Sequence, residues 1–362
     1  MPAPDRLRVE AQTTLGGLAL AVTVEVAAGE CVALAGPSGA GKTSLLRVVA
    51  GLLHPERGRV TADGETWLDT DSGVDLPPER RRCGYVFQDY ALFPHLSAWQ
   101  NVAYALRGLP RAERRRRAVE LLDRFGLGAR ADDRPRTLSG GERQRVAVAR
   151  VLAREPGVLL LDEPLSALDA RTRARAAREL AGVLRDLEVP ALLVTHDFAE
   201  AAQLGDRVGV IDAGKVIQEG TPTELAAAPR SAFVADFTGA VVLTGVAGAG
   251  SDGLTRVELD GGGTVTSTDA GEGPVAVSIY PWEITVDTID AVPHGSAQNR
   301  LAVEVLSITT VGNRVRLGLT GAQPLAAEIT RASSERLGLQ AGAKVVATWK
   351  AAATRLVSTG IG

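Results

Sequence analysis

The stretch that most limits what this chain can fold into is 31-CVALAGPSGAGKTSLLRVVAGLL-53. Cys31 to Ala35 are continuously apolar and read as a buried strand, while Ser44 to Leu53 read as the helix that follows. Between them Gly36, Pro37, Ser38, Gly39, Ala40, Gly41, Lys42 and Thr43 fit G-x-x-x-x-G-K-[ST]. A strand, a glycine loop and a helix in that order call for a crossover, so the strand belongs to a largely parallel sheet. The glycines let the backbone curl until several N–H groups point inward, and the helix N-terminus adds its positive end. That is a cradle for phosphate. Lys42 is placed to reach β- and γ-phosphates and Thr43 to ligate Mg²⁺, with Ser44 as a further nucleotide-binding residue.

A second stretch fits the same chemistry. Residues 158-VLLLDEP-164 form an apolar run ending in two acids. The run suits a central parallel strand buried on both faces. Asp162 then stands at its carboxyl end, where open α/β sheets bind ligands, and can hold the Mg²⁺ shell. Glu163, one residue on, is placed to polarise an attacking water.

A third stretch, 136-RTLSGGERQRVAVAR-150, has the grammar of another phosphate site: a serine, two glycines and a helical run. The loop at Gly36 to Thr43 covers one side of a triphosphate. Charge develops on the other side in the transition state, and donors are needed there. The Ser139 hydroxyl, Gly140 and the N–H of Gly141 can supply them. A head-to-tail dimer, in which each chain closes the other's site, aims both sets of donors at one nucleotide.

Composition narrows the setting. The 362 residues are 45% hydrophobic, enough for two domains with cores of their own. The net charge of -3 gives no basic excess, and no nucleic-acid partner is expected. The run 111-RAERRRR-117 reads as a solvated helix face. Two cysteines far apart, Cys31 and Cys83, fit a reducing cytoplasm and no disulfide framework. No signal-peptide pattern opens the chain, and its apolar runs are too short to cross a bilayer, so a membrane role is expected to come through a partner. Up to about Gly239 strand-like and helical runs alternate. From Ala240 short Val/Thr/Leu runs alternate with glycine clusters, as in 259-LDGGGTVTST-268, the texture of a small β-barrel. The boundary is expected near 236-DFTGA-240, and 275-VAVSIYPWEIT-285 reads as a strand pair.

Over roughly residues 5–236 the chain resembles the ATP-binding-cassette (ABC) ATPases. The phosphate loop, LSGGERQ and LLLDEP agree with that family. So do 87-FQDYALFPHLSAWQNV-102 with Gln88, 166-SALD-169 with Asp169, and 194-VTHD-197 with His196. The resemblance implies an α/β fold, with a mixed sheet and a helical subdomain, followed by a small all-β, OB-like barrel over 240–362. It implies ATP and Mg²⁺ as ligands. Gln88 joins Thr43 and Asp162 at the metal, His196 contacts the γ-phosphate and helps orient water, and Asp169, in the D-loop, joins the nucleotide-binding residues. It also implies a homodimer bound to integral membrane permease subunits on the cytoplasmic face of the membrane, served indirectly by an extracytoplasmic solute-binding protein. Tyr90, Leu92, Phe93 and Trp99, around Pro94, read as an exposed apolar partner surface. For Trp99 a place in the helical subdomain's core is an equal reading.

Two features concern base and cargo. No Phe, Tyr or Trp precedes Trp67, so 10-EAQTTLGG-17 lacks the aromatic that many family members stack on adenine, and aliphatic contacts such as Leu15 are expected instead. That start, and 68-LDTDSGVDLPPERRRCGYVFQD-89, resemble ATPases of molybdate importers. Residues 295–358 resemble the oxyanion-binding barrel of molybdate proteins, with Ser296, Asn299 and Lys350 as candidate anion donors. Gln298 stands where that barrel usually has arginine, which removes a fixed cation. A barrel that only joins two subunits is the other reading. Sulfate, iron, polyamine or sugar cargo stays open within the class. Outside it stand a soluble non-transport ABC protein and an oxyanion sensor.

Overall fold

The computed structural model describes residues 6–106, 108–250, 253–290, 296–311 and 314–359, and the strands and helices below are those of the described residues. Two compact units divide the chain, Met1–Pro222 and Thr223–Gly362. The seam lies upstream of the change in composition at Ala240. The helix Ala232–Phe237 is built into the second unit: Val234 and Ala235 are fully buried, and Thr238 Oγ1 meets the Tyr280 hydroxyl at 2.9 Å.

In the first unit the expected mixed sheet is resolved as two sheets. One has the strand order Lys215–Gly220, Arg207–Asp212, Cys31–Ala35, Ala191–Thr195, Val158–Asp162, Cys83–Val86. All its neighbours run parallel except the first pair. Cys31–Ala35, Val158–Asp162 and Ala191–Thr195 are buried at every residue, as strands covered on both faces must be. The other sheet is antiparallel and begins with the hairpin Arg6–Leu15 and Leu18–Ala27, closed by Gly16 and Gly17 at φ 54 and 95. Its inward residues Leu7, Val9, Leu20, Val22, Val24 and Val26 alternate with exposed or half-buried ones. A one-residue slip would turn the whole set outward, so the core specifies the register.

The helix Lys42–Val49 shares one core with both sheets. Leu45, Leu46, Val48 and Val49 are fully buried among Leu7, Val9 and Val60 of one sheet and Val32, Val158, Leu160 and Val194 of the other. Its carboxyl end is held by Arg81, 4% exposed, whose guanidinium donates to the carbonyls of Val48 and Val49 at 2.7 and 2.8 Å and to Asp75 at 2.9 Å. A cation there complements the helix dipole and satisfies carbonyls that the helix itself leaves unpaired.

Helices Ala98–Ala103, Arg111–Arg124 and Gly140–Leu152 form the helical subdomain. Two residues expected at an exposed partner surface are buried: Trp99 is 9% exposed and Tyr90 3%. Trp99 packs into the subdomain under Arg115, and the Tyr90 hydroxyl donates to the carbonyl of Pro164. The basic run lies on the exposed face of its helix. Glu113 binds Arg116 and Arg117, Glu120 binds Arg116, and Asp132 binds Arg115. Exposed pairs like these keep a helix solvated and add little stability each.

The second unit is all-β apart from short helices. One antiparallel sheet has the order Thr264–Ser267, Thr255–Leu259, Val241–Ala249, Gly273–Ile279, Arg355–Val357. The other has the order Thr285–Thr288, Lys344–Trp349, Asn299–Val311, Arg314–Thr320, Leu325–Thr330. Leu243, Val257, Val277 and Ile279 of the first share a core with Val305, Leu317, Ala327, Ala347 and Trp349 of the second. The strand pair expected over 275–285 is not formed. Gly273–Ile279 pairs with Val241–Ala249 and Thr285–Thr288 with Lys344–Trp349, and the turn Pro281–Glu283 carries the chain from one sheet to the other.

Candidate active site

Four adjacent parallel strands bring the site together. In spatial order they are Cys31–Ala35, Ala191–Thr195, Val158–Asp162 and Cys83–Val86. Their carboxyl ends lead into Gly36, His196, Glu163 and Phe87–Gln88, so four segments distant in the chain meet along one edge.

At this edge the phosphate loop is shaped by its glycines. A Cβ on Gly36 would stand 2.0 Å from the carbonyl oxygen of Ile211, so only glycine fits there. Gly39 has φ 85 and faces open space, which suits a backbone that must approach a ligand closely. Lys42 is 5% exposed and its Nζ donates to the carbonyls of Gly36 and Pro37, both at 2.8 Å, which places it inside the loop. Burial lowers its pKa, against the pull of Glu163 and Asp162. Thr43 Oγ1 donates to Asp162 Oδ1 at 2.8 Å. A hydroxyl and a carboxylate brought together beside a phosphate cradle are hard oxygen donors, and they fit Mg²⁺.

Glu163 is the centre of the second cluster. Its Oε2 accepts from Gln88 Nε2 at 3.3 Å and lies 3.2 Å from His196 Nδ1. Its backbone has φ 44, in the left-handed region where a glutamate is strained, and its N–H is held by Val194 O at 2.9 Å. Ser166 Oγ fixes its carbonyl at 2.9 Å.

Ser139, Gly140 and Gly141 take their contacts elsewhere. Ser139 caps the helix Gly140–Leu152: its N–H donates to Glu142 Oε2 at 2.7 Å and its Oγ accepts from Glu142 N at 3.3 Å. A Cβ on Gly140 would stand 2.3 Å from Leu168, so that glycine serves close packing, whereas one on Gly141 would make only ordinary contact with Ala176 and Thr172. Asp169 is exposed and accepts from Thr172 N at 3.1 Å.

Beside Gln88 an open groove of about 880 Å³ runs along the first unit, lined by Leu52, Tyr85, Phe87, Phe93, Tyr104 and Arg150 among others. Leu52, Phe87 and Tyr104 are 52%, 40% and 46% exposed. Of the expected apolar surface, Phe93 lies here, 4.6 Å from the Tyr104 ring.

In the second unit Asn299 is 1% exposed and its amide is fully engaged. Its Oδ1 accepts from Thr266 N and Oγ1 at 2.7 and 3.0 Å, and its Nδ2 donates to Thr266 O and Thr354 Oγ1 at 3.0 and 2.9 Å. Gln298 Oε1 accepts from Ala351 N at 3.1 Å. Ser296 and Lys350 are exposed, and Lys350 borders a hollow with Tyr280, Glu283 and Arg355.

Two residues of the first site carry no motif. Tyr85 donates to Asp162 Oδ2 at 2.8 Å. Glu200 is 7% exposed, and burial raises its carboxyl to about 7. It accepts from Thr195 Oγ1 at 2.9 Å, while Thr195 Oγ1 also accepts from Asp197 N, so the pair brackets His196. An acid at the fourth position after a strand-end histidine was the signal available for Glu200.

Known proteins resemble this chain in both of its units. Residues 20–166 match the family model for ABC transporters, and residues 295–356 match the TOBE domain. A molybdate/tungstate import ATP-binding protein of Archaeoglobus fulgidus is 47% identical over 65% of this chain and 94% of its own. A sulfate/thiosulfate import ATP-binding protein of Burkholderia mallei is 40% identical over 91% of this chain and 92% of its own. A Pyrococcus horikoshii protein with the same name as the Archaeoglobus one is 38% identical over 92% of this chain and 93% of its own. A likeness that runs through both units makes this chain a member of the ABC transporter family, an ATP-hydrolysing subunit of an importer.

Proposed function

We propose that the chain acts as a homodimer on the cytoplasmic face of the membrane and drives import of molybdate or a related oxyanion. The observation that carries the catalytic part is the convergence of Gln88 and His196 on one oxygen of Glu163. Lys42, with the N–H groups of Gly36 to Ser44, holds the β- and γ-phosphates. Thr43, Asp162 and the amide oxygen of Gln88 hold Mg²⁺, which when bound neutralises charge between those phosphates. Glu163 takes a proton from the attacking water, and Gln88 and His196 hold its carboxylate in line. Ser139, Gly140 and Gly141 of the second copy donate to the γ-phosphate from the open side, and Asp169 lies in that contact. The groove beside Gln88 receives a permease segment. A solute-binding protein delivers cargo outside.

Two of the relatives above, both named for molybdate and tungstate, support the cargo. One extends through the C-terminal unit. The sulfate/thiosulfate relative, matched over a similar length, supports sulfate as the second reading. The test is reconstitution with the permease in liposomes and a measure of ATP-dependent uptake of molybdate and sulfate. Molybdate uptake that a tenfold excess of sulfate leaves intact is the expected result. Uptake of sulfate alone assigns the second reading.

A further inference from the structure

Tyr85 belongs to two places at once. Its ring lines the groove and lies 4.4 Å from the Phe87 ring, centroid to centroid, at 32°. Phe87 is 40% exposed, so the ring pair forms part of the open groove wall. The hydroxyl points the other way and donates to Asp162 Oδ2 at 2.8 Å. Thr43 already occupies Oδ1 of the same carboxylate. One oxygen of Asp162 is thus held from the phosphate loop and the other from the groove wall.

The backbone between them is stiff. Cys83–Val86 runs parallel to Val158–Asp162, with Tyr85 opposite Leu160. A Cβ on Gly84 would stand 2.2 Å from Val151, so the strand lies hard against the helix Gly140–Leu152. Movement of the strand itself is resisted, and the freedom left is in the tyrosine side chain. A phenylalanine would fill the groove equally well and would leave Oδ2 without its donor.

We propose that Tyr85 is a positioning residue that couples the Phe87 ring in the groove wall to the carboxylate that holds Mg²⁺. The Phe87 ring holds the tyrosine ring, and the hydroxyl then fixes the orientation of Asp162. The proposal rests on the reading of Asp162 as a metal-holding residue.

The test uses the full chain without permease and needs no turnover. Mg²⁺ is titrated against binding of a fluorescent ATP analogue, and Mn²⁺ binding is read by electron paramagnetic resonance. Tyr85→Phe raises the Mg²⁺ midpoint roughly three- to tenfold, the range for one charge-assisted hydrogen bond, and leaves metal-free nucleotide binding within about twofold. Phe87→Ala raises the midpoint in the wild-type background and has no further effect in the Tyr85→Phe background, which is the coupling of a double-mutant cycle. Asp162→Asn is the control. If it shifts the midpoint and Tyr85→Phe does not, the proposal is overturned and the reading of Asp162 stands. If Phe87→Ala acts equally in both backgrounds, Tyr85 is not the carrier. If Asp162→Asn also changes nothing, the reading of Asp162 falls and the proposal with it.

Discussion

Oε2 of Glu163 lies 3.2 Å from Nδ1 of His196, and the two residues follow neighbouring parallel strands. Glu163 reaches this position only by taking φ 44, a conformation that costs a non-glycine residue on the order of 1 kcal/mol. The hydrogen bond from its N–H to Val194 O, on the strand that leads to His196, holds it there.

Glu163→Gln keeps this shape and loses the base. ATP hydrolysis is expected to fall at least about 100-fold with ATP affinity within a few-fold of wild type. Phosphate release and equilibrium ATP binding on the purified chain measure the two quantities. Near-normal turnover removes Glu163 from the reaction.

Ser139→Arg is expected to disable the phosphate loop of the opposite chain and not its own. Mixing it with Lys42→Ala chains leaves one heterodimer site with both Lys42 and Ser139 intact, and a second site with neither. Crosslinking of an azido-ATP to each chain of the heterodimer shows which loop is served. Labelling lost on the chain that itself carries Ser139→Arg contradicts a shared site.

Glu200 gives the first unit a pH dependence of known sign. Its carboxyl ionises near 7 when folded, raised by burial, with Asp197 adding and Thr195, His196 and Arg173 opposing. In the unfolded chain it ionises near the ordinary 4.5. Between these values the folded state holds a proton that the unfolded state has released, so stability falls as pH rises through that window and levels off above it. Glu200→Gln removes this contribution. Urea unfolding should show its stability advantage over wild type growing by on the order of 3 kcal/mol from pH 4.5 to 7.5. A constant difference across that range contradicts the shifted carboxyl.

The hairpin next to the phosphate loop offers adenine no ring. A Cβ on Gly41 would lie 2.6 Å from Leu20 and 3.3 Å from Leu18, so leucines stand where the loop turns into its helix. Aliphatic contact supports either purine without directional selection. Competition binding should show ATP preferred over GTP by less than about tenfold, equivalent to about 1.4 kcal/mol. A larger ratio means that another residue reads the base.

Asn299 and Lys350 separate two roles for the second unit. Asn299→Ala breaks a fully satisfied buried amide and takes a partner from the Thr266 N–H, hydroxyl and carbonyl. It should destabilise that unit by roughly 2–4 kcal/mol, read by thermal unfolding. Molybdate, tungstate and sulfate titrated into the ATPase reaction of the permease complex should inhibit weakly, by twofold or less, and Lys350→Ala should abolish that inhibition. Strong inhibition that Lys350→Ala leaves untouched places any anion site elsewhere.

The local sequence determined whatever depends on neighbours in the chain. Glycine at 36, 39 and 41 sets a loop only glycine can form, and the apolar runs over 31–35, 158–161 and 191–194 set strands buried on both faces. Ser139 with Glu142 three residues later sets a helix start. Tertiary structure alone decided the rest, because the deciding contacts join residues far apart in the chain. Thr43 meets Asp162 across 119 positions and Tyr85 meets it across 77, and no periodicity encodes either. The same holds for Arg81 capping the helix that ends at Val49 and for Asn299 bound to Thr266. Tyr90 and Trp99 look like a partner surface from their chemistry, yet both are covered when the helical subdomain folds over them. An aromatic side chain reads the same in sequence whether a partner or its own chain buries it; which of the two does so is settled only by where the chain returns.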